Sequence, residues 1–438
     1  MKYHSLNHSA PPASFREAVI RGIAPDKGLY FPDQVPVFPE AFWRQLGERP
    51  MLAIALDLIR PYAGESIPDP VLERILEETL NFDFPLVPVA PNVFSLELYH
   101  GPTLAFKDVG SRFMARCLGY FSSRSPEEVT VLVATSGDTG GAVADGFLGV
   151  PGVEVVILYP EGKVSDIQER QLTTLGQNIR ALRVAGSFDD CQRMVKEAFV
   201  DRELSQGRRL TSANSINVAR WIPQMLYYVF ALRQLGPDCD PPVFSVPSGN
   251  FGNICAGMLA HRMGMPCRQF VAATNVNDTV PRYMETEAYD PRQSVPTISN
   301  AMDVADPSNF IRVQKLFGDR FPDLAEMLTA RSYTDDETRG AMRFLHKTCG
   351  YTADPHGAVG YLGLMDYLRG DANGPGIFLE TAHPIKFRPE VERTLGIQLP
   401  IPERIRGLLD KEKMAIPIRK YEDLRTFLLD TRGSRKAP

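Results

Sequence analysis

Short buried strand patterns alternate with helix patterns from about residue 100 onward, and this alternation constrains the fold more than any other feature of the chain. Val129–Ala134 and Val153–Leu158 are apolar runs of strand length, and Val243–Val246 and Gly376–Glu380 repeat the pattern further along. Strands that alternate with helices favour mostly parallel sheets covered by helices on both faces. The sequence therefore predicts an α/β protein with two open, mostly parallel sheets flanked by helices.

The remaining patterns divide the chain into three parts. Further strands are predicted at 181–184 and 270–273, and helices at 53–60, 70–80, 110–120, 142–149, 165–175, 188–204, 222–235, 254–263 and 357–368. The first ninety or so residues are otherwise Pro-rich and irregular, and the tail after Lys386 carries two charged amphipathic helix patterns. We expect an N-terminal domain at 1–94, a central region at 95–390 with a smaller mobile subdomain around 110–205, and a C-terminal helical extension at 391–438.

The composition excludes several classes of protein. Lys and Arg number 48 and Asp and Glu number 53 in 438 residues, so the net charge of −5 draws the chain to neither nucleic acid nor an anionic membrane. No stretch is long and apolar enough to cross a bilayer, and the start, MKYHSLNHSAPPASF, lacks the apolar core of a secretory signal. The 6 cysteines are scattered without C-x-x-C spacing, which argues against a disulfide scaffold or a structural zinc module. We expect a cytoplasmic protein.

Three polar, Gly-rich turns follow predicted strands, at 135–141, 248–253 and 381–384. Ligands of parallel sheets bind beyond the carboxyl ends of the strands, so the turns indicate a site. The turn at 248–253 favours a phosphate because glycines allow close approach and a helix start presents N–H groups. It is neither a P-loop nor a G-x-G-x-x-G motif, and a plain tight turn stays an alternative. For 135–141 the alternative is an elaborate helix N-cap.

Two further segments carry charged side chains in unusual surroundings. Lys107 follows a turn in an otherwise apolar run, where a lysine has its charged form disfavoured and can act as a nucleophile or form a Schiff base. Arg220 follows Asn214 and Ser215 and precedes an apolar helix, a combination suited to an oxyanion clamp. The alternatives are a solvated lysine and a capped helix start with a surface arginine.

The histidines point to no metal site. His4 and His8 have the spacing of metal ligands on a helix, but SLNHSAPP is not a helical sequence, so we reject a metal there. His356 and His383 lie near turns at the ends of predicted elements. Lining a site and packing or capping remain open for both.

Together these segments resemble one family closely. The run HGPTLAFKD around Lys107 is similar to the cofactor-lysine motif of threonine synthases, which are pyridoxal-phosphate enzymes of the fold-type-II (tryptophan synthase β) class. Further matching segments are TSGDTGGAVA, SANSINVAR, VPSGNFGN, AATNVNDTVPR, SNAMDV, ETAHPIKF and the N-terminal GLYFPDQVP. These motifs stand in the family's order from near residue 3 to near residue 390. The resemblance implies a threonine-synthase-type domain at 1–94 and a pyridoxal-phosphate catalytic region at 95–390.

The resemblance also implies roles for single residues. Lys107 would be the catalytic residue and would bind pyridoxal phosphate covalently, and Thr381 would hydrogen-bond the pyridine nitrogen. Asp138 stands next to the cofactor's phenolic oxygen, where many relatives carry Asn; a carboxylate donates there only when protonated, so a direct contact stays open. The residues implied around the cofactor phosphate are Gly249, Asn250, Phe251, Gly252 and Asn253. The residues implied to bind substrate are Ser136, Thr139, Asn214, Ser215 and Arg220.

The implied reaction converts O-phospho-L-homoserine and water to L-threonine and phosphate, by γ-elimination followed by β-addition of water, as the last step of threonine biosynthesis. A phospholyase that releases 2-oxobutyrate and ammonia would need nearly the same residues. A dehydratase or β-replacement synthase would not need the phosphate clamp at Arg220, and a non-catalytic relative would not need Lys107. We expect a monomer or small homo-oligomer that binds this small molecule, without nucleic-acid or membrane partners and, since no N-terminal regulatory extension is visible, without a dedicated allosteric site.

Overall fold

The computed structural model describes residues 1–124, 128–369 and 374–433. Its strands are β1 (Tyr3–Ser5), β2 (Tyr30–Pro32), β3 (Leu86–Ala90), β4 (Val93–Glu97), β5 (Val129–Ala134), β6 (Val153–Pro160), β7 (Ile179–Val184), β8 (Arg209–Ser212), β9 (Val243–Pro247), β10 (Gln269–Thr274), β11 (Leu328–Ser332), β12 (Gly376–Glu380) and β13 (Ile416–Ile418). Its α-helices up to residue 221 are α1 (Phe15–Arg21), α2 (Glu40–Arg44), α3 (Met51–Ala63), α4 (Asp69–Thr79), α5 (Lys107–Ser122), α6 (Asp138–Phe147), α7 (Asp166–Thr173), α8 (Phe188–Val200), α9 (Arg202–Gly207) and α10 (Val218–Trp221). The later α-helices are α11 (Met225–Leu235), α12 (Gly252–Arg262), α13 (Thr279–Thr286), α14 (Phe310–Leu316), α15 (Phe321–Met327), α16 (Asp335–Cys349), α17 (Pro355–Leu368), α18 (Arg388–Leu395), α19 (Glu403–Leu409) and α20 (Tyr421–Gly433). Short 3₁₀ helices lie at Leu46–Glu48, Ile222–Gln224, Asn300–Met302 and Pro384–Phe387.

These elements agree with the predicted alternation, and β5 and β12 have the predicted bounds. The helix predicted at 188–204 is interrupted at Asp201, whose extended backbone ends α8 and whose carboxylate accepts the amides of Glu203 and Leu204 to begin α9. The tail holds a strand that was not predicted: β13 pairs in parallel with β7. Three residues around a proline offer too little period-2 alternation for a sequence pattern to reveal them.

One compact unit comprises 31–109, 221–402 and Met1, and we call it the first unit. Its sheet has 6 strands in the order β11-β10-β9-β12-β4-β3, all parallel except the β3–β4 hairpin. Helix α17 lies on β9, β10 and β12. It approaches closely because Gly363 has no side chain: a Cβ there would lie 2.8 Å from the Cβ of Ala273 and 2.9 Å from Ser245 Oγ. The apolar strands and helices on this sheet form its buried core.

The other compact unit comprises 2–30, 110–220 and 403–438, and we call it the second unit. Its sheet has 5 strands in the order β13-β7-β6-β5-β8, all parallel. Every residue of β5 and β6 is buried, as expected for the centre of a parallel sheet. Leu424 and Leu428 of α20 join this core, so part of the C-terminal tail belongs to the unit.

The strand order decides which turns meet. In the first unit β9 and β12 are parallel neighbours, so the turn after Pro247 and the residues after Glu380 lie at the same edge of the sheet. In the second unit β5 and β8 are parallel neighbours, which places the turn at 135–141 beside the segment after Ser212. The two compact units divide the chain at other points than the segments 1–94, 95–390 and 391–438, and that three-part division stays a prediction.

In the described part of the chain, no helix is long and apolar enough to cross a membrane. The same residues contain no group of His, Cys, Asp and Glu side chains arranged to hold a metal ion. All 6 cysteines are free thiols.

Candidate active site

Lys107 is the first residue of α5 and follows a turn with strained backbone. Leu104 in that turn has a φ of 59°, a left-handed conformation that residues with a side chain seldom adopt. The amide of Phe106 donates to the carbonyl of Thr381 at 2.8 Å. The structure therefore brings the loop that carries Lys107 against the end of β12, where Thr381 lies.

Buried polar groups hold this loop in place. The carboxylate of Asp108 accepts the amide and the hydroxyl of Thr103, while the fully buried ammonium of Lys386 donates to the Thr103 carbonyl at 2.8 Å. The hydroxyl of Tyr227 donates to the carbonyl of Phe106. Such buried, charge-assisted hydrogen bonds restrict the backbone, so they hold the backbone of Lys107 in one position.

The turn at 248–253 connects β9 to α12 and is built for close approach. A Cβ at Gly249 would lie 2.8 Å from Met302 Cα, a distance that real Cβ atoms essentially never show, and 3.0 Å from the Ala301 carbonyl oxygen. Phe251 has a φ of 59° and turns the chain into α12, which begins at Gly252. The first N–H groups of a helix have no acceptor within the helix, and its dipole favours an anion there.

Asn253, in the first turn of α12, carries a side-chain amide donor that no described residue accepts. Its Oδ1 lies 2.8 Å from the hydroxyl of Tyr228 and accepts a hydrogen bond from it. Its Nδ2 is buried and has no hydrogen-bond partner among the described residues. A buried donor without a partner costs about 1–3 kcal/mol, a cost that a bound anion removes. The turn thus fits the phosphate of pyridoxal phosphate.

Asn250 differs from Asn253, because its polar groups are used by the chain. Its Oδ1 accepts the amide of Ser308 at 2.6 Å, and its carbonyl accepts Asn309 Nδ2 at 3.1 Å. In this arrangement Asn250 holds the residues before α14 against the turn. Its predicted contact with the cofactor phosphate stays a prediction.

The end of β12 carries a buried acid beside Thr381. Glu380 is fully buried, and its Oε1 accepts the amide of Asp354 at 2.7 Å. Burial, followed by the nearby charge of Asp354, raises the pKa of Glu380 well above its ordinary value and favours the protonated acid. No residue pattern drew attention to Glu380; a charged residue that ends the apolar run GIFLE was the available signal.

The two open histidines have different surroundings. His383 caps the 3₁₀ turn after it, since its Nδ1 accepts the amide of Ile385 at 3.1 Å. Burial lowers the pKa of His383 to about 4. His356 is buried and hydrogen-bonded to Asp354 and to the amide of Ala301. The capping alternative therefore holds for His383.

In the second unit, the turn at 135–141 is satisfied largely by its own side chains. Thr135 Oγ1 accepts the amides of Gly137 and Gly140 at 3.0 and 2.9 Å. Asp138 is buried, and its Oδ1 accepts Gln168 Nε2 at 2.8 Å. The orientation of the Gln168 side-chain amide is fixed, because its Oε1 accepts the backbone N–H of Ser165. Asp138 is therefore held as an acceptor.

Ser136 and Thr139, the residues of this turn predicted to bind substrate, are half-buried. Asn214, from the segment after β8, reaches the end of β5: its Nδ2 donates to the Ala134 carbonyl at 3.2 Å. The second unit therefore brings the 135–141 turn and Asn214 together. Ser215 is half-buried on the same segment.

Arg220 is buried in the short helix α10 and its amide donates to the carbonyl of Asn217 at 3.0 Å. Asn217 is the residue of this motif that we missed. Its Nδ2 donates to the Val19 carbonyl at 2.9 Å and its Oδ1 accepts the amide of Ala219 at 3.0 Å. Asn217 thereby begins α10 and places Arg220; an Asn three residues before an Arg was the visible signal.

Comparison with known proteins identifies the class first. A family model described as pyridoxal-phosphate dependent enzyme matches residues 86–377, so the chain is a member of the pyridoxal-phosphate-dependent enzymes. Models described as threonine synthase N terminus and threonine synthase C-terminal match 2–80 and 357–427. The chain belongs to the threonine synthase family. The predicted family and fold class are thus confirmed.

Individual relatives agree with this assignment. The threonine synthase of Haemophilus influenzae is 43% identical over 436 residues, which cover 98% of this chain and 100% of that protein. The crystal structure of threonine synthase from Escherichia coli superposes with a TM-score of 0.93 at 41% identity, covering 98% of this chain and 100% of that one. A threonine synthase from Brucella melitensis, solved with bound PLP, gives a TM-score of 0.92 at 36% identity, with complete coverage (100%) of both chains.

Proposed function

We propose that this chain converts O-phospho-L-homoserine and water to L-threonine and phosphate with pyridoxal phosphate as its cofactor. The observation that carries the proposal lies at one edge of the first unit's sheet. There the loop of Lys107 is tied to Thr381, and the neighbouring strand ends in a Gly-rich turn with the unpartnered Asn253 donor. Extensive identity to relatives named threonine synthase supports the reaction itself.

We assign the holding of the cofactor to the first unit. Lys107 would bind its aldehyde carbon, Thr381 would hydrogen-bond its ring nitrogen, and residues 249–253 would surround its phosphate. When bound, pyridoxal phosphate supplies an electron sink for negative charge that develops next to the substrate amine. Because Asp138 is occupied as an acceptor for Gln168, we assign it no donation to the cofactor, and its predicted role as a cofactor ligand stays a prediction.

Lys107 has a second task once the substrate amine has taken its place. Its freed amine would remove the proton from the substrate's α-carbon and then move a proton at the β-carbon. The ring of Phe106 lies 4.9 Å from Lys107 Nζ, a cation–π contact that helps to place the lysine side chain. The hydrogen bonds that hold the loop would keep this amine within reach of both carbons.

The leaving phosphate needs fixed donors because it departs as a dianion. We assign this role to Arg220, Asn214 and Ser215, and the hold on the substrate carboxylate to Ser136 and Thr139. A buried arginine is suited to the task, since a guanidinium presents several donors to phosphate oxygens in a fixed plane. Donors already in position cost no reorganisation when the charge develops.

The test is to incubate the cofactor-loaded protein with O-phospho-L-homoserine and to follow phosphate and organic product together by NMR. Phosphate matched by threonine is expected. Lys107→Ala should lower both signals at least about a thousandfold, while Lys347→Ala, an exposed lysine of the same unit, should leave them unchanged. Phosphate matched by 2-oxobutyrate and ammonia would make the chain a phospholyase instead. No phosphate would overturn the proposed substrate.

The substrate is a small molecule. We further propose that the chain acts in the cytoplasm without nucleic-acid or membrane partners, as a monomer or small homo-oligomer. The net charge of −5 supports the absence of polyanionic partners. Sedimentation of the purified protein alone would measure its oligomeric state. Sedimentation with duplex DNA would show whether the protein binds this polyanion.

A further inference from the structure

His356 is a buried side chain that the proposed reaction does not use. It lies in the first turn of α17, and its ring packs against Phe387 with 4.6 Å between ring centroids. Nδ1 lies 2.7 Å from Asp354 Oδ1, and Nε2 accepts the amide of Ala301 at 3.2 Å. Since Nε2 accepts an N–H, the ring that satisfies both contacts carries its hydrogen on Nδ1 and donates it to Asp354.

Asp354 is placed to hold this ring in one orientation. It is fully buried and begins α17 by accepting the backbone amide of His356. Its own amide donates to Glu380 Oε1 at 2.7 Å. The orientation of His356 is thus set by groups at the start of α17 and at the end of β12.

The other side of His356 contacts a segment without regular strands, residues 299–302, which includes the 3₁₀ turn Asn300–Met302. Asp303 anchors the end of this segment: its Oδ1 accepts Thr297 Oγ1 at 2.7 Å and Asn275 Nδ2 at 2.9 Å. The middle of the segment is attached to the helix α17 through the bond from Ala301 to His356.

The same segment forms one wall of the phosphate turn. Gly249 approaches it so closely that a Cβ there would lie 2.8 Å from Met302 Cα and 3.0 Å from the Ala301 carbonyl. A shift of the segment by a few tenths of an ångström therefore has to move Gly249 as well, because packed backbone offers no slack. The path from His356 to the turn consists of one hydrogen bond and one backbone contact.

We infer that His356 is a positioning residue for the cofactor phosphate: through Ala301 it sets the place of residues 299–302, and these set the place of the turn at 249–253. The inference rests on the proposed function, because it takes that turn as the phosphate site. Nε2 positions the segment by accepting the N–H of Ala301, whereas the contact between Nδ1 and Asp354 only orients the ring.

Two amide variants separate these two atoms. In His356→Gln the side-chain oxygen reaches the place of Nε2 and can still accept the Ala301 amide, but the Nδ1 donor is lost. In His356→Asn the amide nitrogen lies near the place of Nδ1 and can donate to Asp354, but the acceptor at Nε2 is lost. A residue that served only the Asp354 partner would tolerate Asn better than Gln, and one that served only packing would lose affinity for pyridoxal phosphate and pyridoxal alike.

The experiment titrates the cofactor-free protein with pyridoxal phosphate and, separately, with pyridoxal, which lacks the phosphate, and follows binding by protein fluorescence. We expect His356→Asn to weaken pyridoxal phosphate at least about tenfold, as for one lost buried hydrogen bond. His356→Gln should stay within about threefold of the wild type, and the affinity for pyridoxal should not change in either variant.

Several results would overturn the inference. One is a Gln variant that binds pyridoxal phosphate as weakly as the Asn variant or more weakly; another is an equal loss for pyridoxal. If both variants fail to fold, the ring ¹⁵N shifts of labelled wild-type protein decide: hydrogen on Nδ1 supports the inference and hydrogen on Nε2 overturns it. A wild-type chain that binds pyridoxal but gains nothing from the phosphate would instead overturn the assignment of the turn, and the proposed function with it.

Discussion

The two units end central strands in turns that look alike in sequence and differ in how their polar groups are used. At 135–141, Thr135 accepts two amides of its own turn and Asp138 accepts Gln168. At 248–253, Asn253 keeps a buried amide donor without a partner among the described residues. Thr135 and Asp138 of the first turn are thus used for the structure of their own unit, whereas Asn253 of the second turn keeps one donor for a ligand. A Gly-rich turn is therefore a candidate anion site only when the surrounding fold leaves donors unpaired.

Among the variants that test this difference between the two turns, Asn253→Asp should have the largest effect on the affinity for the cofactor. The exchange keeps the oxygen that accepts Tyr228 and replaces only the unpartnered donor, Nδ2, with a carboxylate oxygen. We expect the affinity for pyridoxal phosphate to fall about a hundredfold, from a lost donor and like-charge repulsion. Fluorescence titration measures it, and pyridoxal serves as the control ligand. An unchanged affinity for pyridoxal phosphate would remove the distinction between the turns.

A smaller effect is expected from adding one methyl group to each turn. In Gly249→Ala the new Cβ meets the backbone of 301–302 at 2.8 and 3.0 Å, whereas in Gly141→Ala it meets the side chain of Gln171 at 3.1 Å. Backbone cannot yield as a side-chain end can, so Gly249→Ala should cost about 1–3 kcal/mol, seen as roughly tenfold weaker cofactor binding.

Gly141→Ala is the matched control, and we expect it to retain the affinity because alanine also favours the helix α6. Thermal unfolding of both cofactor-free variants shows whether the cost falls on binding or on the whole fold. Equal losses of affinity for the two variants would contradict the comparison.

An acid-to-amide exchange at the first unit's site should change the pH dependence of stability. The folded protein keeps a proton on Glu380 that the unfolded chain releases above the ordinary pKa of 4.5. The folded state then binds more protons, so stability falls as pH rises from that value to the raised pKa of Glu380, by at most about 1.4 kcal/mol per pH unit. Glu380→Gln, which mimics the protonated acid, should remove this decline.

Urea unfolding of the cofactor-free wild type and Glu380→Gln between about pH 5 and about pH 8 measures this decline in stability. The difference between the two curves of unfolding free energy against pH isolates the contribution of Glu380. Parallel curves for the two proteins would show that Glu380 is ionised in the folded state and would refute the buried proton.

An acid-to-amide exchange in the second unit, Asp138→Asn, should have the smallest effect on the protein. In Asp138→Asn the side-chain oxygen can still accept Gln168 Nε2. We expect the affinity for pyridoxal phosphate and the cofactor's absorbance maximum to stay within about threefold and a few nanometres of the wild type. A shifted maximum would show that Asp138 contacts the cofactor after all.

Much of the fold was predictable because its signals are local. The bounds of β5 and β12 followed from apolar runs between polar turns, and the helices α3 and α4 followed from their periodicity. Two differences from the prediction lacked such a signal: β13 is three residues long and exists through its pairing with β7, and α8 ends early because Asp201 begins a second helix.

Part of the candidate site was also predictable, because its signals are local in the sequence as well. Lys107, the turn at 249–253 and the end of β12 are recognisable as motifs, and strand adjacency then explains why they lie at one edge. The supporting groups were not predictable, because each acts across a long stretch of chain. Lys386 holds Thr103, and Glu380 takes the amide of Asp354, and no spacing rule connects such pairs.

The sequence by itself determined the alternation of strands and helices, the position of each Gly-rich turn and the family, because hydrophobic periodicity, glycine placement and motif order are properties of short segments. Only the tertiary structure decided which polar groups are spent within the protein and which remain for a ligand. It distinguished Asn253 from Asn250, and His356 from His383. The physical reason is that hydrogen-bond saturation depends on which distant residues the sheet order brings within about 3 Å.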